Sequence, residues 1–118
     1  MKFLGEESLF QASARRLSGA GFAVPSFVTG SDFRFMVVEQ LAAAPQNILI
    51  EPSARNTAAA ICAAAVALDA QSGDSLMLVA PSDHVIPEVE KFRTTVEAAA
   101  DTALDGQIVT FGIRPDRA

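Results

Sequence analysis

The sequence predicts an α/β protein with a mostly parallel sheet and helices on both faces. Three observations carry this reading. Helix-like and strand-like segments alternate along the whole chain, joined by loops of only a few residues. Two runs, Asn47–Glu51 and Ser75–Ala80, have unbroken apolar centres in place of an alternating pattern, as strands covered on both faces do. Between them lies an alanine-rich stretch whose small side chains permit a helix to approach a sheet closely.

The first element is a short amphipathic helix from Ser8 to Leu17, on which Leu9, Phe10, Ser13, Ala14 and Leu17 recur at helical spacing and Ser18-Gly19 supplies the stop. Ser26 to Thr29, after Pro25, reads as a short strand. Gly30-Ser31-Asp32 then turns the chain into a second helix capped by Ser31 or Asp32, with Phe33, Met36, Val37, Gln40 and Leu41 on its inner face and Pro45 blocking its continuation. The strand Asn47–Glu51 follows. Glu51-Pro52-Ser53-Ala54 leads into a third helix, capped by Asn56 or Thr57 and running to about Asp69, with Ile61, Val66 and Leu68 as its larger apolar groups. Gln71 to Asp74 is a turn, Ser75 to Ala80 a buried strand, and Pro81-Ser82-Asp83-His84 a loop. A fourth helix runs from about Glu88 to Leu104 on Phe92, Val96, Ala99 and Ala103; Asp105-Gly106 ends it, and Ile108 to Ile113 makes the last strand. Such alternation implies right-handed crossovers between parallel strands.

Composition narrows the function classes. A length of 118 residues suits one domain. The hydrophobic half of the chain includes 22 alanines, so the larger apolar groups come from eight Phe and the aliphatic positions. A net charge of −5 argues against a nucleic-acid binder, whose affinity rests on Lys and Arg displacing counterions. The single Cys62 cannot form an internal disulfide and reads as a small buried core residue of an intracellular, cytoplasmic protein. Glu6 and Glu7 interrupt any secretory signal, and the longest apolar run, Ala58 to Leu68, stops at Asp69, short of the roughly 18 residues of a membrane span. The expectation is a soluble protein without membrane contact.

In an open parallel sheet, ligands bind beyond the carboxyl ends of the strands. Two loops leave that edge with polar residues, Glu51 to Thr57 and Pro81 to His84. In the first, Glu51 offers two acceptor oxygens and Asn56 both donor and acceptor, a combination suited to the edge of a nucleobase; the alternative is a capped helix start with Glu51 paired to Arg55. In the second, Asp83 follows a buried strand, where a carboxylate can hold Mg²⁺ against phosphate oxygens; the alternative is a turn residue ahead of a helix. His84, the only histidine, reads as a residue that packs or bonds locally. Gly19-Ala20-Gly21 fails as a dinucleotide fingerprint, because position 24 is Val and the segment precedes a strand; no Walker A run or G-x-S-x-G is present. Lys91 and Arg93, beside Glu88, Glu90 and Glu97, read as a solvated helix face with i,i+4 partners.

At the two loops the residues become family-specific. Ile50-Glu51-Pro52-Ser53-Ala54-Arg55-Asn56-Thr57-Ala58, followed by Ala80-Pro81-Ser82-Asp83-His84-Val85-Ile86, resembles the mannose-1-phosphate guanylyltransferases. Gly5-Glu6-Glu7-Ser8-Leu9-Phe10-Gln11, Arg34-Phe35, Glu39-Gln40-Leu41 and Thr110-Phe111-Gly112-Ile113 with Pro115 extend the resemblance over nearly the whole chain.

The resemblance implies a Rossmann-like fold of the nucleotide-diphospho-sugar transferase type. It also implies that residues 1–118 are a partial nucleotidyltransferase domain missing its first strand and the Gly-rich phosphate loop after it. Lys2-Phe3-Leu4 stands near where the family carries a phosphate-binding lysine. The implied reaction transfers a guanylyl group from GTP to mannose 1-phosphate, releasing pyrophosphate and forming GDP-mannose. Because the attacking phosphate is already an anion, no side-chain base is needed, and catalysis rests on positioning and on Mg²⁺. Asp83 would carry the metal, Glu51, Asn56 and Thr57 would line the guanine and ribose side, and Arg55 would support them or touch ligand. The competing readings are a nucleotidyltransferase for another sugar phosphate and a non-catalytic α/β fragment. A missing strand would also leave open sheet edges through which a homo-oligomer could form.

Overall fold

The computed structural model describes residues 7–19, 21–42 and 47–112. The expectations at Lys2, Gly5, Glu6, Ala20, Pro45, Ile113 and Pro115 lie outside them. Two compact units result, Met1–Val85 and Ile86–Ala118.

In the first unit, helix α1 spans Leu9–Arg16. Ser8 is its N-cap in extended conformation: its Oγ accepts from the Gln11 N–H at 3.1 Å, while the Gln11 Oε1 accepts from the Ser8 N–H at 2.9 Å. This reciprocal pair satisfies two amides that a helix start leaves orphaned. Arg15 and Arg16 in the last turn suit the negative end of the helix dipole. Gly19, at φ 69°, lets the chain turn directly after it.

Strands β1 (Ser26–Gly30) and β2 (Asn47–Glu51) pair in parallel, in register from Ser26 opposite Asn47 to Gly30 opposite Glu51. Phe10 of α1 meets Phe27 of β1 edge-on, with ring centroids 5.2 Å apart. The expected cap at Ser31 or Asp32 is not made. Both belong to a 3₁₀ turn, Ser31–Phe33, and helix α2 (Arg34–Leu41) continues from it without a side-chain cap. Residues already wound into a helical turn have left the extended conformation from which a capping side chain reaches forward. The expected inner face of α2 is also only partly covered. Phe33 and Met36 are exposed, whereas Val37, Gln40 and Leu41 are half-buried. Gln40 ties α2 to α1: its Oε1 accepts from the Ser8 Oγ at 2.6 Å, and its carbonyl from the Gln11 Nε2 at 2.9 Å.

Helix α3 spans Asn56–Ser72, three residues beyond the expected end, and contacts both strands. Neither Asn56 nor Thr57 caps it. Arg55 holds the cap position, and Asn56 takes φ 69°, a left-handed conformation that Asn tolerates better than most residues but that does not serve capping. Cys62, expected in the core, is exposed on α3. An alanine helix offers no large side chains that would mark one face for burial, so sequence alone could not orient it.

Ser75–Ala80 has no ladder partner among the described residues, and Leu76 and Val79 are exposed. An apolar run becomes a strand only where a neighbour supplies the complementary amides and carbonyls, and the described sheet contains β1 and β2 alone. The same shortage of neighbours explains why β2 is half-buried, with Ile50 49% exposed, where full burial was expected. No apolar side chain is fully buried among the described residues; the buried ones are Ser8, Ser13 and Arg16.

The second unit contains helix α4, Val89–Leu104, close to the expected bounds. Phe92, Val96, Ala99 and Ala103 are half-buried, as their spacing predicts, and so are Val89, Arg93 and Ala100. Two ion pairs on α4 run i,i+3, Lys91 to Glu88 at 3.4 Å and Arg93 to Glu90 at 3.7 Å, and Arg93, expected on a solvated face, is half-buried. Residues 108–112 carry no ladder, and Ile108 is 95% exposed.

Candidate functional site

Parallel pairing puts the carboxyl ends of β1 and β2 side by side, so Gly30 and Glu51 share one edge of the sheet. From Glu51 the chain passes through Pro52-Ser53-Ala54 into α3, and a groove of about 360 Å³ opens along this passage. Its apolar floor includes Val28, Leu49 and Ile50; Ala59 and Ala63, one turn apart on α3, form a wall. Glu51 and Arg55 supply its charged groups. No hydrogen bond or ion pair joins these two side chains, so the alternative in which Glu51 merely holds Arg55 is not what forms. Asn56 and Thr57 are exposed and do not line the groove.

Asp83 does not line it either. It sits exposed in a turn with Ser82, after the unpaired run Ser75–Ala80. The His84 imidazole is exposed too, and it is the carbonyl of His84 that is engaged: the Arg16 Nη2 donates to it at 3.4 Å. On the other side of Asp83, the Ser82 carbonyl accepts from the Ser13 Oγ at 3.3 Å. The Arg16 Nη2 also donates to the Ser13 Oγ at 2.9 Å, which links the two contacts. Burial lowers the Arg16 pKa from its ordinary value, with the charge of Arg15 adding to the effect. Arg15 is raised instead, by its hydrogen bond to Glu7 at 3.1 Å and the attraction that accompanies it.

Ser13 and Arg16 escaped the sequence reading, which took Ser13 for one more position on the inner face of an amphipathic helix. The usable signal was polarity on that face: a Ser and an Arg three residues apart where apolar groups were expected. Among the described residues no cluster of three or more His, Cys, Asp or Glu could hold a metal. Asp83 offers one carboxylate, outside any such cluster. That fits an Mg²⁺ ion that arrives with a nucleotide, since Mg²⁺ keeps several waters and is commonly held by one or two carboxylates plus substrate phosphates.

Residues 1–118 match the nucleotidyl transferase family. This chain belongs to that family. Membership carries the Rossmann-like nucleotide-sugar transferase fold, and the parallel β1–β2 pair with its helices agrees with it. The nucleotidyl transferase chain is 42% identical to a mannose-1-phosphate guanylyltransferase of Sinorhizobium fredii, over 98% of this chain and 23% of that protein. It is 42% identical to the xanthan biosynthesis protein XanB of Xanthomonas campestris, over 98% of this chain and 25% of that protein. With the alginate biosynthesis protein AlgA of Pseudomonas aeruginosa it shares 41%, over 96% and 24%. The chain thus spans about a quarter of the length of the curated relatives it matches. The resemblance read from the Glu51–Thr57 and Asp83 motifs is borne out by these relatives. No solved structure matches the chain significantly. No described helix is long and apolar enough to cross a membrane.

Proposed function

We propose that this chain forms part of a cytoplasmic mannose-1-phosphate guanylyltransferase that makes GDP-mannose and pyrophosphate from GTP and mannose 1-phosphate. The observation that carries the reading is the groove at the carboxyl end of β2, with Glu51 and Arg55 on an otherwise apolar surface. Its volume lies at the small end of the range of ligand pockets, about 300–1,000 Å³, and suits a nucleobase better than a whole nucleotide sugar. Glu51 would accept from the N–H edge of guanine. Arg55, exposed at the groove, would meet the ribose or phosphates, and Asn56 and Thr57 at the start of α3 would face the ribose side.

A phosphate oxygen of mannose 1-phosphate attacks the α-phosphorus of GTP; the new P–O bond forms as the bond to the bridging oxygen breaks and pyrophosphate leaves. The nucleophile needs no deprotonation, which suits a chain with one histidine. Asp83 would hold Mg²⁺, which when bound offsets negative charge on the triphosphate. The part left to the protein is orientation: the groove fixes the base, and Asp83 sets where the phosphates lie. One unpaired cysteine fits a reducing compartment.

The test is product formation by the intact protein that carries this chain, with GTP, ATP, UTP and CTP offered in turn with mannose 1-phosphate and other hexose 1-phosphates. GDP-mannose as the preferred product supports the reading. Turnover of another pair at higher kcat/KM assigns the chain to a different sugar nucleotide, and nucleotide binding without turnover assigns it a non-catalytic role.

A further inference from the structure

We infer that α1 is the positioning element of the Asp83 loop: Ser13 and Arg16 hold the carbonyls on either side of Asp83 and so fix where its carboxylate stands. The inference rests on the reading of Asp83 as the Mg²⁺-holding group and adds residues that act through it.

Burial is the first argument. Where no described apolar side chain is fully covered, two residues of α1 are each only 4% exposed, and both are polar. Burying a guanidinium is costly unless its donors are used. The Arg16 Nη2 donates to the His84 carbonyl and to the Ser13 Oγ, and the Ser13 Oγ donates on to the Ser82 carbonyl. Two of the three covered polar residues, Ser13 and Arg16, therefore meet at one tripeptide, while the third, the cap Ser8, bonds Gln40.

The second argument is the choice of acceptors. Residues 82 and 84 flank 83: the Ser82 carbonyl lies in the peptide plane that enters Asp83 and the His84 carbonyl in the plane that leaves His84, so the two contacts bracket Asp83 while its exposed side chain stays open to a ligand. The third is that no ladder is described on the preceding side. Ser75–Ala80 has no ladder among the described residues, so the loop is not steadied by a strand leading into it. The support of α1 itself is firmer. It is capped at Ser8, tied to Gln40 through Ser8 and Gln11, and packed through Phe10 on Phe27. At 3.3 and 3.4 Å each carbonyl contact is long, so the effect of losing one is moderate.

The experiment uses the intact protein with Ser13→Ala, Arg16→Lys, Arg16→Gln and Asp83→Asn. Amide hydrogen exchange at residues 82–85 and 48–51 is compared by mass spectrometry, and the Mg²⁺ concentration that half-saturates GTP binding is measured by calorimetry. The expected result for Ser13→Ala and Arg16→Gln is faster exchange at 82–85 with 48–51 unchanged, and about tenfold more Mg²⁺ for half-saturation. Arg16→Lys keeps a single donor and should recover part of both effects. Ser13→Ala removes only one oxygen and guards against an Arg16 variant that fails to fold. Unchanged exchange at 82–85 in Ser13→Ala and Arg16→Gln overturns the clamp. Faster exchange with unchanged Mg²⁺ dependence overturns its positioning role. Asp83→Asn tests the underlying reading separately: if it leaves the Mg²⁺ dependence intact, Asp83 does not hold the ion, whatever the exchange shows.

Discussion

Glu51 and Asp83 each follow an apolar run, yet they are held in place by different means. Glu51 ends a paired strand, fixed opposite Gly30 by the β1–β2 ladder and followed directly by α3. Asp83 follows a run with no described ladder, and its loop is fixed by side chains that precede it by nearly 70 residues. A ladder fixes a residue through repeated backbone bonds that any sequence can make; a clamp does so through two particular side chains. The first arrangement should therefore resist substitution in its surroundings, and the second should not.

The largest expected effect breaks the comparison at Asp83 itself. Asp83→Asn keeps the shape of an exposed side chain and removes its charge, so folding should be unaffected while guanylyl transfer falls about 100-fold or more. Thermal unfolding and steady-state rates at saturating Mg²⁺ check both halves. Undiminished turnover would take the metal away from this loop.

Next come two changes at the other loop. Ala63→Phe places a ring in the groove wall from an exposed helix position, so stability should change little while KM for GTP rises about 30-fold. An unchanged KM would show that the base binds elsewhere. Glu51→Gln should act more gently and more selectively. Replacing one acceptor oxygen with a donor should reduce the preference for GTP over a pyrimidine triphosphate about tenfold, read as a ratio of kcat/KM values. An equal loss for all nucleotides would reduce Glu51 to a structural residue.

The same division governs what could be read from the sequence. The parallel pair, the four helices and the loop after Glu51 were legible because each depends on neighbours in the chain: apolar runs, helical spacing, and Pro or Gly stops. Ser75–Ala80, expected as a buried strand, has no ladder among the described residues because pairing depends on a neighbour, which an apolar run can invite but not supply. Cys62 was misplaced for a related reason, since an alanine helix carries almost no record of its buried side. The Ser13–Arg16 clamp was invisible because its partners are backbone carbonyls, which every residue has. The place of Asp83 after an apolar run and the motif resemblance both drew attention to it, and neither says what holds it.

The smallest expected effect sharpens the comparison furthest, because it touches neither loop. Ser8 caps α1 and donates through Oγ to the Gln40 Oε1 at 2.6 Å, so it secures the end of the helix that lies farther along α1 from the clamp residue Arg16. Ser8→Ala removes the cap acceptor and the bond to α2 together, while Gln11 still bonds the Gln40 carbonyl and Phe10 still packs on Phe27. The helix should survive, less firmly anchored, with a loss of about 1 kcal/mol in unfolding free energy. If α1 carries the Asp83 loop, that loosening reaches residues 82–85 as a modest rise in amide exchange and leaves the Glu51 loop unchanged, because the β1–β2 ladder does not pass through α1. Equal increases at both loops would mean that Ser8 stabilises the unit as a whole, and the two loops would then share one support. A rise confined to 82–85, in a variant made so far from Asp83 in sequence, is the outcome that a ladder-held loop and a clamp-held loop predict between them.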